Sequence, residues 1–465
     1  MRYKSQRVAY PYFAVALLLY GLQMVLGLLS AAKYLGPDPL LHILPFDVTK
    51  EMHTNLLIVW VLTGFMGAAY YLVPEESRTE LYSEKLAYVQ IVVWTLMGLT
   101  AVIGYFFGWT TGNKLLEQPY PLKLVIVAVM LLFLFNILMT IKKAGRWTTT
   151  EGVLVGGLVA SAVLYLPALG SWDNYTMAVF YRWWTVHLWV EGVWELIQGG
   201  MLAFLLIRLS GVDREAMEKW LYVIVGLTFI SGILGTAHHY FWIGVPSYWL
   251  PVGDIFSAME PLSFLGMAIY AYFALRRSGF SHPNQLALHW TIGSAVYSAL
   301  GAGVLGLAHT FASVNKWTHG TLITPMHGHM AFFGAYVMIV LAVITYAMPS
   351  LTGRKDDRQS AVAMWGFWLQ VGGMFGMTMA FAAGGVAQVY LERIMGMGYL
   401  DTQSKIRIHF VILIVTGSIF ATGVGLYLWD FFFIQSRHAL RVMREQRERG
   451  GVPVEAPSAA PAPGE

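Results

Sequence analysis

Twelve times along its 465 residues the chain runs through an apolar stretch of about twenty residues, long enough to cross roughly 30 Å of hydrocarbon. These segments lie near residues 10–32, 53–74, 86–108, 121–141, 151–170, 183–207, 220–244, 254–275, 286–311, 321–349, 360–392 and 407–434. Inside lipid no water can pair a free N–H or C=O, so an open chain crosses only as helices. The expected fold class is all-α: a polytopic membrane bundle of 12 transmembrane helices. Composition agrees. The chain is 57% hydrophobic and only 12% charged, whereas an ordinary soluble chain carries about 25% charged residues. Its mean hydropathy is +0.57. A buried core alone does not explain such a deficit, so lipid must solvate much of the surface.

The first run, after the basic stretch Met1 to Arg7, is too long for a leader core and lacks a small-residue cleavage site, so it reads as a span. Residues 1–447 are expected to form one catalytic membrane domain. Residues 448–465, rich in Pro, Ala and Gly, are expected to be a disordered cytoplasmic tail. When the loops alternate, most of the 30 basic residues fall on the side of the N-terminus, among them Arg2, Arg7, Lys142, Lys143, Arg276, Arg354 and Arg441. Basic loops stay in the cytoplasm. Both termini are therefore assigned to the cytoplasm of a bacterial inner membrane. Lys33, Lys50, Lys114, Arg182 and Arg393 remain outside.

There is no cysteine, which excludes disulfides, thiolate metal sites, cysteine-bound dinuclear copper and covalent C-x-x-C-H haem. The net charge of +4 resides in short loops and the tail rather than a stripe, so nothing points to nucleic acid.

Orientation turns sequence position into depth. His53 opens the second span, His187 lies early in the sixth, and His327 and His329 lie early in the tenth; all three spans enter from outside. The seventh runs outward and carries His238 and His239 near its outer end. Six histidines from four spans thus share the outer third of the membrane. In T-P-M-H-G-H-M, His327 and His329 point about 200° apart around the helix. One helix then offers an imidazole to each of two flat groups on opposite sides, a need that haems fit, and Gly328 leaves room for a macrocycle. His53 can supply a second axial ligand to one of them; the other keeps an open face. Spacing alone does not say which of His327 and His329 serves which haem. His238 and His239 diverge by about 100° and can grip one ion, with His187 completing the site and Glu191 one turn further on the same face. Three imidazoles and a carboxylate suit iron better than copper. A single buried histidine is as readily a hydrogen-bonding residue as a ligand; it is the coincidence of H-x-H, H-H and H-x-x-x-E at one depth that argues for metal. His42, His282, His289, His409 and His438 lie at loops or span ends, and His309 and His319 have structural roles on the outer side.

An ionisable residue within a span costs roughly 2.5–3.5 kcal/mol on insertion scales. Glu191, Glu195 and Glu260 therefore need a reason. They form an acidic group beside the metal pair, suited to handing protons to a reaction. Below them the sixth and eighth spans continue as apolar sequence, so protons are expected from the outer side, without pumping.

The motifs H-T-N-L-L-I-V-W, G-A-A-Y-Y-L-V-P-E-E-S, H-L-W-V-E-G-V-W-E-L, H-H-Y-F-W-I-G-V-P, L-G-A-G-V-L-G and H-G-H-M-A-F resemble the cytochrome c-dependent nitric oxide reductase branch of the haem–copper oxidase superfamily. The resemblance covers residues from about 10 to about 390. Glu191 stands where the main oxygen reductases have H-P-E-V-Y. The resemblance implies a bundle of the haem–copper oxidase catalytic-subunit type, with His53 and His329 on a low-spin haem b, His327 on a high-spin haem b, and His187, His238, His239 and Glu191 on a non-haem iron. It also implies that Glu195 and Glu260 supply protons, and that electrons come from a membrane-anchored c-type cytochrome subunit to reduce nitric oxide. One departure stands out. In T-G-N-K-L-L-E-Q-P, Lys114 occupies the position of a calcium-binding glutamate, with Glu117 three residues later. An ammonium cannot ligate calcium but can pair with haem propionates, so calcium is doubtful.

Two other functions compete. A cbb-type oxygen reductase needs a redox tyrosine near the metal; Tyr297 in the ninth span is the candidate, although the usual position falls nearer Ala299. A twelve-span transporter would carry no haem.

Overall fold

The structure, a computed structural model, describes residues 1–38, 40–259, 265–267, 269–270, 272–273, 276, 282–354 and 360–437. Every described element is helical. Eleven helices among the described residues are long and apolar enough to cross a membrane. They are α1 (Lys4–Ala32), α2 (Phe46–Ser77), α3 (Glu84–Phe106), α4 (Tyr120–Ala144), α5 (Thr149–Leu169), α6 (Tyr175–Ser210), α7 (Arg214–His239), α9 (Gln285–Thr310), α10 (Ile323–Thr352), α11 (Ala361–Ile394) and α12 (Arg407–Gln435). The shorter α8 (Trp249–Ser257) leads into the remaining expected span near 254–275, of which residues 260–264, 268, 271, 274 and 275 lie outside the described residues. Glu260, residues 448–465 and His438 lie outside them too.

The helix ends follow local chemistry. The Asn174 side chain accepts from Met177 N at 3.1 Å to start α6, and Gly211 stops it in the left-handed region at φ 65°. Thr148 and Glu151 form a reciprocal cap at the start of α5. Arg214 pairs with the buried Glu76 at 2.8 Å, and Arg208 approaches Glu75 at 3.6 Å, tying α6 and the start of α7 to the end of α2.

Burial sorts the helices. In the most apolar window of α10, 83% of residues are buried, and the value is 78% for α2 and α6, against 33% for α1, α3, α5 and α12. α2, α6 and α10 therefore form the centre, and the other four turn much of their surface to lipid. α10 packs on α9 and α11, α1 packs on α2 and α12, and α5 packs on α6. Among the histidine-bearing helices, the central three hold His53, His187, His327 and His329.

Several of these helices depart from regular α geometry. Wide π turns occur at Trp189–Val193 in α6, Thr228–Gly232 in α7, Ala299–Leu305 in α9 and Phe333–Val337 in α10. Such turns leave backbone carbonyls without helical partners and concentrate at functional sites. These four lie in the part of the bundle that holds the histidines; two more, Val389–Ile394 and Asp430–Gln435, end α11 and α12.

Candidate metal centre

At the end of α7 the chain tightens into a 3-10 turn, Thr236–His239, which sets His238 and His239 side by side with their Nε2 atoms 3.0 Å apart. The buried His187 of α6 meets both: its ring centroid lies 5.0 Å from that of His238 and 5.2 Å from that of His239. Glu191 Oε2 stands 3.4 Å from His187 Nδ1 and 3.9 Å from His238 Nε2. One nitrogen or oxygen from each of His187, Glu191, His238 and His239 falls within 4.8 Å of all the others.

Hydrogen bonds decide which nitrogen each ring offers. His187 Nε2–H donates to Gly232 O, a carbonyl in the π turn of α7, at 2.8 Å. Its Nδ1, buried and without a hydrogen-bond partner, is left facing Glu191. His238 Nδ1 lies 2.8 Å from Ser257 Oγ at the end of α8, and Ser257 Oγ donates onward to Gly235 O at 3.4 Å. That leaves His238 Nε2 for the cluster. The ring of His239 lies flat on Trp183, with centroids 4.0 Å apart and planes within 2°. Metal-binding imidazoles characteristically have the second nitrogen tied to a carbonyl or hydroxyl in this way. An orphaned buried nitrogen among three rings and a carboxylate fits a cation, and the donor set is of the hard type that suits iron.

A single residue, Gly328, separates His327 from His329, and the two histidines face opposite sides of α10. His327 Nδ1–H donates to Gly301 O in the π turn of α9 at 3.0 Å, so its Nε2 is free to face the cavity it lines. Glu191 and Glu195 line the same cavity. A Cβ at Gly328, also on its wall, would meet no atom within 4 Å. That open space beside a histidine fits a flat macrocycle.

His329 turns instead toward His53 of α2. Their ring centroids are 6.1 Å apart and their planes 23° apart. Metal–imidazole bonds of about 2.0–2.1 Å on both sides of one ion put two ring centroids roughly 6 Å apart. Each ring has its Nδ1 on a backbone carbonyl, His53 on Gln23 O at 2.9 Å and His329 on Pro325 O at 2.8 Å. The pair therefore fits one iron held from both faces. Gly27 of α1 makes the room for His53: a Cβ there would lie 2.7 Å from His53 Cε1.

Glu195 is buried on the same cavity wall, one turn inward of Glu191, and its Oε2 has no hydrogen-bond partner. Further inward the wall continues with Gln198, whose Nε2 donates to Ser298 Oγ at 3.2 Å. Tyr297 is elsewhere, donating to Val371 O at 2.9 Å, and does not line the cavity. His309 has both ring nitrogens on threonines, Thr318 at 2.8 Å and Thr324 at 3.2 Å.

Residues 7–419 match the cytochrome c and quinol oxidase polypeptide I family. The chain is 46% identical to a nitric oxide reductase subunit of Stutzerimonas stutzeri, across 99% of this chain and 98% of that one. The chain belongs to the nitric oxide reductase family. More distant relatives include the cbb3-type cytochrome c oxidase subunit CcoN1 of Stutzerimonas stutzeri, 22% identical over 89% of this chain and 91% of that one. A solved haem–copper terminal oxidase dimer superposes with a TM-score of 0.74 at 16% identity, covering 94% of this chain and 84% of that one, and shows the shared fold. Membership of the nitric oxide reductase family makes this a membrane oxidoreductase and implies haem and a metal centre; it leaves no place for a haem-free transporter.

Two residues of this nitric oxide reductase homologue, Trp183 and Ser257, steady His239 and His238 without having been singled out from the sequence. Trp183 stands one turn before His187, at the spacing that puts side chains on one helix face, and was legible. Ser257 was not, because its contact depends on how α8 folds back onto the end of α7.

Proposed function

We propose that the chain is the catalytic subunit of a nitric oxide reductase that receives electrons from a membrane-anchored c-type cytochrome subunit and carries out 2 NO + 2 H⁺ + 2 e⁻ → N2O + H2O. The observation that carries this reading is the carboxylate of Glu191 standing among three imidazoles and sharing one cavity with His327. In this reading His187, His238, His239 and Glu191 hold a non-haem iron, His327 holds a high-spin haem b, and His53 and His329 hold a low-spin haem b. When bound, the haem at His327 and the iron at His187, His238, His239 and Glu191 would supply the electrons for coupling two NO molecules. The protein's part is proximity and proton supply. The cavity brings both sides of the centre to one small volume, replacing a two-body encounter with one inside the site. Glu191 and Glu195 stand on its wall, where a carboxyl group can pass a proton to departing oxygen; Glu260 belongs to the same supply in this reading.

Protons come from the outer side in this account, because Gln198 and Ser298, next inward on the wall, do not ionise. In vesicles with the donor side outward, turnover is expected to consume protons from the external medium and build no membrane potential. Internal proton loss would overturn that route. The chain is placed in a bacterial inner membrane with twelve spans and cytoplasmic termini.

In the outer loop the exposed Lys114 lies in the field of the cations Lys50 and Arg182, with Glu117 opposing. The buried Glu117 carboxylate already accepts from Asn55 Nδ2 at 2.9 Å. We assign no calcium to this loop and give Lys114 to a haem propionate.

The deciding experiment measures NO consumption by the purified complex with a reduced c-type donor, alongside iron and copper counts. N2O formation with one non-haem iron for every two b-type haems, and no copper, is expected. Copper at the site with oxygen as the substrate consumed would instead favour the cbb-type oxygen reductase. The position of Tyr297, hydrogen-bonded away from the cavity, speaks against that alternative.

A smaller change tests the low-spin site. Gly27→Ala is expected to displace the His53 ring and move the midpoint potential of the low-spin haem alone. Gly98→Ala, whose Cβ would meet nothing nearer than 3.9 Å, should leave both haems unchanged. An unaltered potential in Gly27→Ala would show that His53 is not a haem ligand or does not feel α1.

A further inference from the structure

Glu191 reaches the three imidazoles from an unusual backbone. It sits in the π turn Trp189–Val193 with φ −101° and ψ 15°, outside helical values. In that turn the Trp194 N–H bonds back to Trp189 O, five residues earlier, so the ordinary helical ladder is interrupted beside the carboxylate. An interrupted ladder within a buried bundle leaves carbonyls that must find partners elsewhere. For Val190, the residue immediately before Glu191, the partner is the hydroxyl of Tyr336, which donates to Val190 O.

Tyr336 is well placed to hold this carbonyl still. It is 3% exposed and lies in the π turn of α10, nine residues beyond His327. Its ring meets Trp194 of α6 edge-on at 5.2 Å and Phe65 of α2 edge-on at 6.3 Å. Both Tyr336 and Val190 line the same cavity as Glu191. The contact thus joins the helix of His327 to the wide turn that carries Glu191.

We propose that Tyr336 is a positioning residue for the metal centre: its hydroxyl fixes the wide turn of α6 through Val190 O and so holds the Glu191 carboxylate against His187 and His238. This rests on the reading that these residues bind a metal ion, and the test separates the two. Tyr336→Phe removes only the hydroxyl and keeps the packed ring. Tyr297→Phe removes a hydroxyl–carbonyl bond of the same kind, to Val371 O at 2.9 Å, away from the cavity. The purified complexes would be dialysed against graded concentrations of a ferrous-iron chelator and the retained non-haem iron counted, with haem measured by absorbance.

Outer-shell partners of metal ligands typically contribute 10–100-fold to affinity. Tyr336→Phe is expected to release its non-haem iron at about tenfold lower chelator than the wild type, with both haems retained. Tyr297→Phe should follow the wild type. Amide hydrogen exchange over residues 189–194 should quicken in Tyr336→Phe alone. Release curves that coincide for wild type and Tyr336→Phe, or an equal shift in both variants, would overturn the role of Tyr336. A wild-type complex with no chelatable iron would instead sink the metal assignment, and this proposal with it.

Discussion

Replacing His238 with alanine is expected to empty the non-haem metal position and abolish NO turnover while both haems remain. His238 offers Nε2 to the cluster, 3.0 Å from His239 Nε2 and 3.9 Å from Glu191 Oε2, and nothing nearby can replace an imidazole at that point. Loss of an outer-shell partner already costs a metal site about 10–100-fold, so loss of a ligand is expected to lower turnover by at least about 100-fold. Ser257, which orients His238 from the other ring nitrogen, gives the graded comparison. Ser257→Ala should retain part of the iron and part of the activity. The two variants are checked by iron counts and N2O formation on the same preparations. Full iron in His238→Ala would remove the histidine from the centre.

The second large effect belongs to His329. Its alanine variant is expected to lose the low-spin bis-histidine haem, halving the haem b content, and to lower turnover with the cytochrome donor by at least about 100-fold, since a bis-histidine iron serves as an electron carrier. The non-haem iron should remain, because His329 faces His53 and Phe381 rather than the cavity. An absorbance spectrum of the reduced protein reads the loss directly. His289→Ala is the control. His289 Nδ1–H donates to Gln285 O at 2.6 Å in its own helix, its ring packs against Phe367 and Trp368, and both haem spectra should survive its removal. Loss of the high-spin rather than the low-spin spectrum in His329→Ala would mean that His327 and His329 serve the opposite haems.

How much of this was legible in the sequence differs residue by residue. The helical class followed from the apolar runs and the solvation of backbone groups, while loop charge and the parity of the spans gave the expectation that the histidines share one depth. Positions set by rotation about a helix were readable as well: the opposed faces of His327 and His329, and the shared face of His187 and Glu191. Each of these needs only the 3.6-residue period. What could not be read was anything that depends on departures from that period or on contacts between distant segments. The wide turn at Trp189–Val193, the carbonyls of Gly232 and Gly301 that select ring nitrogens, and Ser257 beneath His238 have no local signature. The polar pair Gln198–Ser298 is of the same kind, since its members lie on different helices and neither is ionisable. The eighth span, predicted near 254–275, is described only in part, and Glu260 within it falls outside the described residues.

The wide turn in α6 has a consequence for insertions and deletions. A π turn stores one surplus residue within an otherwise regular helix. Deleting one residue between 189 and 193 would let the segment close into uniform α geometry, with the flanking turns staying in phase with their neighbours. His187 above and Gln198 below would keep their directions, while the residues between would each be re-aimed by about 100°. The membrane fold would tolerate the loss, but the carboxylate would no longer point at the imidazoles. In this chain the fourth candidate ligand is specified by residue count as much as by residue identity.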